Sequence, residues 1–184
     1  MVSGEGIGLI MYQEGGIEEV ARYDDTMRSG FIVDEVYLGA TIDRRLLTID
    51  CEKVGRESHI DEKVNRFREG SFVLQRGAGK TPTIIYGTES GALGMIVSLP
   101  KVQFTFMELL QTSIRKVVNG IGGFTHKQWR NNTQKDIKSE GFVDGDLVKS
   151  FIDLDDNEIR EISEMMGFLV EELRNGVEDL KRLY

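Results

Sequence analysis

The chain has 184 residues, of which 40% are hydrophobic and 29% charged, and a net charge of −8. That length suits one domain or two small ones, and the composition is globular, far from a low-hydrophobicity disordered chain. The acidic balance opposes the generally basic face that grips a phosphate backbone, so autonomous DNA binding is not expected. A single cysteine, Cys51, leaves no internal disulfide, and two histidines cannot complete a zinc site with it at any recognised spacing. No stretch approaches the roughly 20 apolar residues of a membrane span, and Met1–Glu5 has no basic n-region. The chain therefore reads as intracellular and reduced, with neither export nor membrane insertion expected.

Fourteen of the 21 glycines fall in residues 1–100 and seven in 101–184, and the hydrophobic period changes at the same place. In the first region apolar runs are short, β-branched and aromatic, and bounded by turn residues, the signature of strands. Strands are predicted at Gly8–Tyr12, Glu18–Tyr23, Phe31–Val33, Val36–Ala40, Arg45–Ile49, Val64–Phe67, Ser71–Leu74, Thr83–Gly87 and Leu93–Ser98. Gly15-Gly16 and Ser90-Gly91 sit where hairpins need a positive φ, which glycine alone adopts without steric cost. Nine short strands make about two four-stranded antiparallel units, whereas a closed propeller needs at least about four such blades. Residues 1–100 are thus predicted to be an incomplete set of blades that belongs to a longer chain or leans on a partner.

Beyond Pro100 the spacing becomes helical. Phe104, Met107, Leu110, Ile114, Val117 and Ile121 recur at three and four, until Gly120, Gly122 and Gly123 stop the pattern. Leu147, Phe151 and Leu154 mark a short helix entered through Asp144 or Gly145. Ile159, Ile162 and Met166 mark another, ended by Gly167. Leu169, Leu173, Val177, Leu180 and Tyr184 make a last amphipathic helix. The expected architecture is mainly β, a partial propeller over 1–100 followed by a C-terminal helical domain over 101–184.

Chemistry-bearing motifs fail on inspection. Gly77-Ala78-Gly79-Lys80-Thr81 suggests a phosphate loop, but such a loop needs glycine where Leu74 stands and a helix where Pro82 and a β-rich run follow. A hairpin tip accounts for it better. Asp153, Asp155, Asn157 and Glu164 fall at ligand positions of a calcium loop, yet Glu158 occupies the turn position that is ordinarily glycine. The same residues read as a helix start, with Asp155 as N-cap and Glu158 as its capping-box partner. His59 and His126 have no nucleophile motif beside them, and Cys51 reads as a small packed side chain. Gly4-Glu5-Gly6-Ile7-Gly8 has no preceding strand for a dinucleotide fingerprint. Trp129 is a packing plug or a partner anchor, the plug being favoured. No catalytic, cofactor-binding or metal-binding constellation emerges, and no enzyme is expected.

One resemblance is specific. Ile85-Tyr86-Gly87-Thr88 through Gly91-Ala92-Leu93-Gly94, His126-Lys127-Gln128-Trp129-Arg130, and Gly141-Phe142-Val143-Asp144-Gly145-Asp146-Leu147-Val148-Lys149-Ser150-Phe151 resemble the C-terminal end of the large damaged-DNA-binding subunits, plant-type members most. These are the triple-propeller adaptors of cullin-4 ubiquitin ligases. The likeness extends to Val170-Glu171-Glu172-Leu173 and, more weakly, upstream through Gly16–Arg22, Tyr37–Ala40 and Val64–Leu74. Related scaffolds are the large propeller subunits of the cleavage and polyadenylation factor and of splicing factor 3b.

The resemblance implies a non-catalytic nuclear scaffold, with a cytoplasmic pool as the alternative location, acting in DNA-damage recognition and ubiquitination. Its partners would be substrate-receptor helices and other propellers of the family, with nucleic acid reached only inside a complex. The alternative role is an RNA-processing scaffold. No counterpart of the family's middle, cullin-holding propeller is present, which implies a fragment or a truncated paralogue. At positions that line the family's receptor cleft this chain offers Met27, Arg44 and Lys63, while Tyr37 and Asn65 match the family; a length difference falls between Ser29 and Tyr37. Two cations in place of apolar lining would cost several kcal/mol if a hydrophobic receptor helix buried them unpaired.

Overall fold

A computed structural model of the chain describes residues 7–13, 16–24, 26–33, 36–50, 53–60, 62–72, 82–118 and 141–182. Among them the architecture is mainly β, antiparallel sheets followed by helices. Strands β1 (Ile7–Gln13) and β2 (Gly16–Tyr23) form a two-stranded sheet. β3 (Met27–Val33), β4 (Val36–Thr41), β5 (Arg45–Asp50) and β6 (Lys53–His59) form a four-stranded meander. β7 (Val64–Glu69), β8 (Thr83–Thr88) and β9 (Leu93–Val97) form a three-stranded one. Among the described residues the expected antiparallel units are thus sheets of two, four and three strands, the second of them four-stranded as expected.

Gly16, at φ 138°, opens β2, and Gly91, at φ 93°, makes the β8–β9 turn, both as their sequence context requires. β6 escapes the strand pattern because Lys53-Val54-Gly55-Arg56-Glu57-Ser58-His59 holds one strongly apolar residue; charge on an edge strand discourages further pairing. β3 begins four residues earlier than expected, since Met27-Arg28-Ser29-Gly30 has no β-branched run and is held by pairing with β4. The predicted strand at Ser71–Leu74 is not found at Ser71 and Phe72, which are irregular; Val73 and Leu74 lie outside the described residues.

In β4 every residue from Tyr37 to Thr41 is buried. A sheet with one wet face would alternate, so both faces of this central strand are covered. Tyr37 and Gly39 pair with Ile49 and Leu47 of β5, and Met27, Tyr37, Leu47 and Ile49 form an apolar cluster on one face. Leu38, Ala40 and Leu46 bury the other.

The described strands up to Ile96 make one compact unit, and the helices, from Val97 onward, make a second. In the helical unit α1 (Lys101–Val117) buries Met107, Leu110 and Ile114 among the residues its period singled out, while Phe104 and Val117 are partly buried and Ile121 lies outside the described residues. Asp144 caps the short α2 (Gly145–Lys149), accepting from the amides of Asp146 at 3.1 Å and Leu147 at 3.3 Å, and a 3₁₀ turn (Ser150–Asp153) follows. Gln111, buried on α1, accepts from the Asp144 amide at 2.7 Å, so capping segment and core are tied together.

Asp155 caps α3 (Asp156–Met166). Its carboxylate accepts from the Asn157 and Glu158 amides at 2.8 and 2.9 Å, and Glu158 accepts from the Asp155 amide at 3.1 Å. That reciprocal box engages a carboxylate a calcium loop would need as ligand. Gly167, at φ 69°, closes α3 in the left-handed conformation. In α4 (Val170–Lys181) Leu173, Val177 and Leu180 are buried as expected, whereas Leu169 stands outside the helix at the N-cap position and is exposed. Leu110, Ile114, Val148, Phe151, Ile162, Leu173 and Val177 form a fully dry core.

Candidate partner-docking face

The five candidate docking residues all fall in the sheet unit, in two groups. One group is apolar and buried. Met27 and Tyr37 are 7% and 4% exposed, within the cluster they share with Leu47 and Ile49. Tyr37 can lie flat there only because its neighbours lack side chains. A Cβ on Gly30 of β3 would collide with its hydroxyl, and one on Gly39 would lie 2.8 Å from its Cε1 and 3.0 Å from Met27 Sδ. Burial pushes the Tyr37 phenol above its ordinary value, because the charged phenolate would lose its hydration.

The other group is polar. Arg44 and Lys63 line an open cleft of about 350 Å³ together with Glu62, Glu89 and Ser90. Arg44 ends the tight β4–β5 turn with φ 65°, a conformation uncommon outside glycine. Thr41 holds it: the Thr41 carbonyl accepts from the Arg44 amide at 3.3 Å, and the buried Thr41 hydroxyl accepts from the Arg45 amide at 3.1 Å. The Arg44 carbonyl in turn accepts from the Ile60 amide at 2.8 Å, which fixes the chain leading to Glu62 and Lys63.

Asn65 projects from β7. Its side-chain oxygen accepts from Arg28 Nε at 3.0 Å, and its amide donates to the Thr88 carbonyl at 3.4 Å. Arg28 also reaches Glu89 Oε1 at 3.3 Å, and Lys63 Nζ lies 4.0 Å from Glu89 Oε2. One carboxylate on the β8–β9 turn is therefore held between two cations, one on β3 and one just before β7. Such half-exposed pairs contribute about 0–1 kcal/mol each, so they orient the face more than they stabilise it. On the same turn Ser90 donates to Glu62, and hydrogen bonds from the Ser90 and Thr88 hydroxyls hold the Glu62 carboxyl below the usual carboxylate range.

The fold thus brings Arg44 and Lys63 to one open cleft, links Asn65 to it through Arg28 and Glu89, and buries Met27 and Tyr37 in an apolar cluster. Sequence reading missed Arg28, Glu62, Glu89 and Ser90. They carry no local motif, and the pairs that unite them span 37 and 61 residues. Among the described residues no cluster of three His, Cys, Asp or Glu could hold a metal ion. His59 sits on β6 opposite Arg45. Cys51, His126, Trp129 and the Gly77–Thr81 segment lie outside the described residues. No described helix is long and apolar enough to cross a membrane.

Antiparallel sheets carrying a charged face, followed by a capped helical unit, define the class, and comparison with known proteins fixes the family. The chain belongs to the CPSF A subunit family, whose CPSF A subunit region matches residues 52–153, more than half of the chain. Along 98% of its length it is 43% identical to DNA damage-binding protein 1a of Arabidopsis thaliana, and along 96% it is 41% identical to DNA damage-binding protein 1 of Solanum lycopersicum. It is 34% identical to the Drosophila melanogaster DNA damage-binding protein 1 over 68% of the chain. The chain spans 19% of the Arabidopsis protein, 18% of the tomato protein and 12% of the fly protein.

Proposed function

We propose that this chain is a non-catalytic nuclear adaptor. In this reading residues 1–100 are terminal propeller blades and residues 101–184 a C-terminal helical domain, and the chain works in DNA-damage recognition and protein ubiquitination by holding other proteins. The observation that carries the reading is the correspondence with DNA damage-binding proteins along nearly the whole chain. The burial of β4 on both faces supports the blade assignment, because propeller blades pack face to face.

Partner proteins would dock on the face built by Arg44, Lys63 and Asn65, with Met27 and Tyr37 buried in the same unit. Receptor helices and other propellers of the family are the partners it would take. Arg28 and Lys63 already share Glu89, so a docking helix meets paired rather than bare cations, and the desolvation cost of burying them is smaller than for lone charges. Nucleic acid would be reached only within an assembly, since the chain carries a net charge of −8.

Calorimetric titration of the chain with a receptor-helix peptide and with the family's first propeller tests the reading. Binding to at least one is expected, weakened by Lys63→Ala; heat from neither removes the adaptor role. A gel-shift titration across salt should show no salt-sensitive complex of the isolated chain with DNA.

A further inference from the structure

Two steps in the sheet ladders are out of register. On β3, Met27 lies opposite Thr41 of β4 and Ser29 lies opposite Ala40, so Arg28 is an extra residue between two successive pairs. On β7, Val64 lies opposite Thr88 of β8 and Arg66 opposite Gly87, which makes Asn65 the extra residue there. Each is a β-bulge one position past the buried residue that opens its strand. A bulge interrupts the alternation of the pleat and re-aims a side chain. Here the two re-aimed side chains meet: Arg28 Nε donates to Asn65 Oδ1 at 3.0 Å, between strands of separate sheets.

Both arms of the guanidinium fork are used. Nη2 of Arg28 donates to Glu89 Oε1 at 3.3 Å while Nε holds Asn65, whose own amide donates to the Thr88 carbonyl at 3.4 Å. Arg28 therefore grips the β8–β9 turn twice, at the Glu89 carboxylate and, through Asn65, at the backbone one residue earlier. A lysine ammonium is a point charge and cannot hold two acceptors in that fixed geometry. Pairs this exposed add little to stability, so what the two bulges secure is the position of a carboxylate. That position bears on the cleft, because the other Glu89 oxygen lies 4.0 Å from Lys63 Nζ. Glu89 and Lys63 line the cleft, whereas Arg28 is not among its lining residues.

We propose that Arg28 is the positioning residue of the docking face: its fork across the paired bulges draws Glu89 toward β3 and leaves the Lys63 ammonium available to an acceptor on the partner protein. The role rests on the adaptor reading above and deepens it. Without Arg28 the Glu89 carboxylate keeps Lys63 as its cation and closes on it, withdrawing the charge that a partner would meet. Arg28 thus acts through Glu89 and need not touch the partner.

The test is a double-mutant cycle on the full chain, read by calorimetric titration with the receptor-helix peptide and with the family's first propeller. Arg28→Ala should weaken binding roughly three- to tenfold, as expected for coupled neighbours, and Arg28→Lys, which keeps the charge and loses the fork, should weaken it about as much. Glu89→Gln removes the group that Arg28 controls, so adding Arg28→Ala to it should cost nothing more. Urea midpoints of all these variants should match the parent, because the exchanged side chains stand at the surface. Parent-like binding by Arg28→Lys, or the same loss from Arg28→Ala with and without Glu89, would overturn the positioning role while the adaptor reading stands. Binding of neither probe by the parent chain would remove the adaptor reading and this role with it.

Discussion

The two compact units are organised by contacts of different reach. In the helical unit the determining interactions are local: Asp144 and Asp155 cap their helices within three residues, Gly167 stops α3, and apolar residues three and four apart build the dry core around Phe151 and Ile162. In the sheet unit the candidate docking face is assembled by Arg28 with Asn65 and Arg28 with Glu89, contacts across 37 and 61 residues between separate sheets. Local order of the first kind is encoded by spacing. The second kind exists only after strands have paired, which is where a single sequence falls silent.

Substitutions that attack each unit at its strongest point break this comparison most directly. Phe151→Ala empties a fully buried site at the meeting of the 3₁₀ turn with α2 and α4, and should cost about 3–5 kcal/mol in urea denaturation followed by helical circular dichroism. Strand signals in the sheet unit should keep their own transition. The corresponding blow to the sheet unit is Gly30→Val, which forces Tyr37 out of the space it fills over β3; overpacking of this kind costs about 1–3 kcal/mol. Adding Tyr37→Ala should recover part of that loss, a coupling measurable by a double-mutant cycle. Additive losses would mean the ring does not rest on Gly30.

The helix caps sharpen the contrast on the local side. Asp155→Ala removes the acceptor for two amides and should lower stability by about 1 kcal/mol, within the usual 0.5–2 kcal/mol for N-caps, with Asp155→Asn losing much less. This box was legible because Asp155 and Glu158 stand at the required spacing before Ile159 and Ile162. The helices carrying Phe104 to Val117 and Ile159 to Met166 were legible for the same reason, whereas of the short helix marked by Leu147, Phe151 and Leu154 only Gly145–Lys149 is α-helical, Phe151 standing in the 3₁₀ turn and Leu154 beyond it. By contrast β6 was hidden by its polar sequence, and the early start of β3 by Arg28-Ser29-Gly30, whose extended conformation is imposed by β4. Of the docking face, Met27, Tyr37, Arg44, Lys63 and Asn65 came from likeness to a family. Glu89, which joins Arg28 to Lys63, had no sequence signal at all.

Titration offers a larger window on the buried Tyr37 and a smaller one on the exposed polar cluster. Burial raises the Tyr37 phenol, so the folded chain favours the neutral form more than the unfolded chain does. Its contribution is full below the unfolded value of about 10 and is lost as pH rises through the folded one. Alkaline unfolding should therefore begin later in Tyr37→Phe, whose ring fills the same space without an ionisable group. An unchanged alkaline midpoint in this variant would show that other groups control that limb.

Glu62 runs the opposite way and is the smallest effect. Its folded value lies below the usual carboxylate range, so whatever the Ser90 and Thr88 hydroxyls contribute is present above the unfolded value, about 4.3, and disappears as pH falls through the folded one. Carbon-detected titration of the Glu62 carboxyl should show a depressed midpoint that Ser90→Ala moves back toward the ordinary range, while global stability at neutral pH hardly changes because the group is at the surface. The turn bearing Glu89 is tied to the Glu62–Lys63 segment by this hydroxyl and by the Lys63 carbonyl, which accepts from the Glu89 amide at 2.9 Å. Loss of the Ser90 bond should therefore loosen the Arg28–Glu89–Lys63 bridge before it loosens the fold, and a partner that reads the bridge should bind Ser90→Ala more weakly than the parent chain.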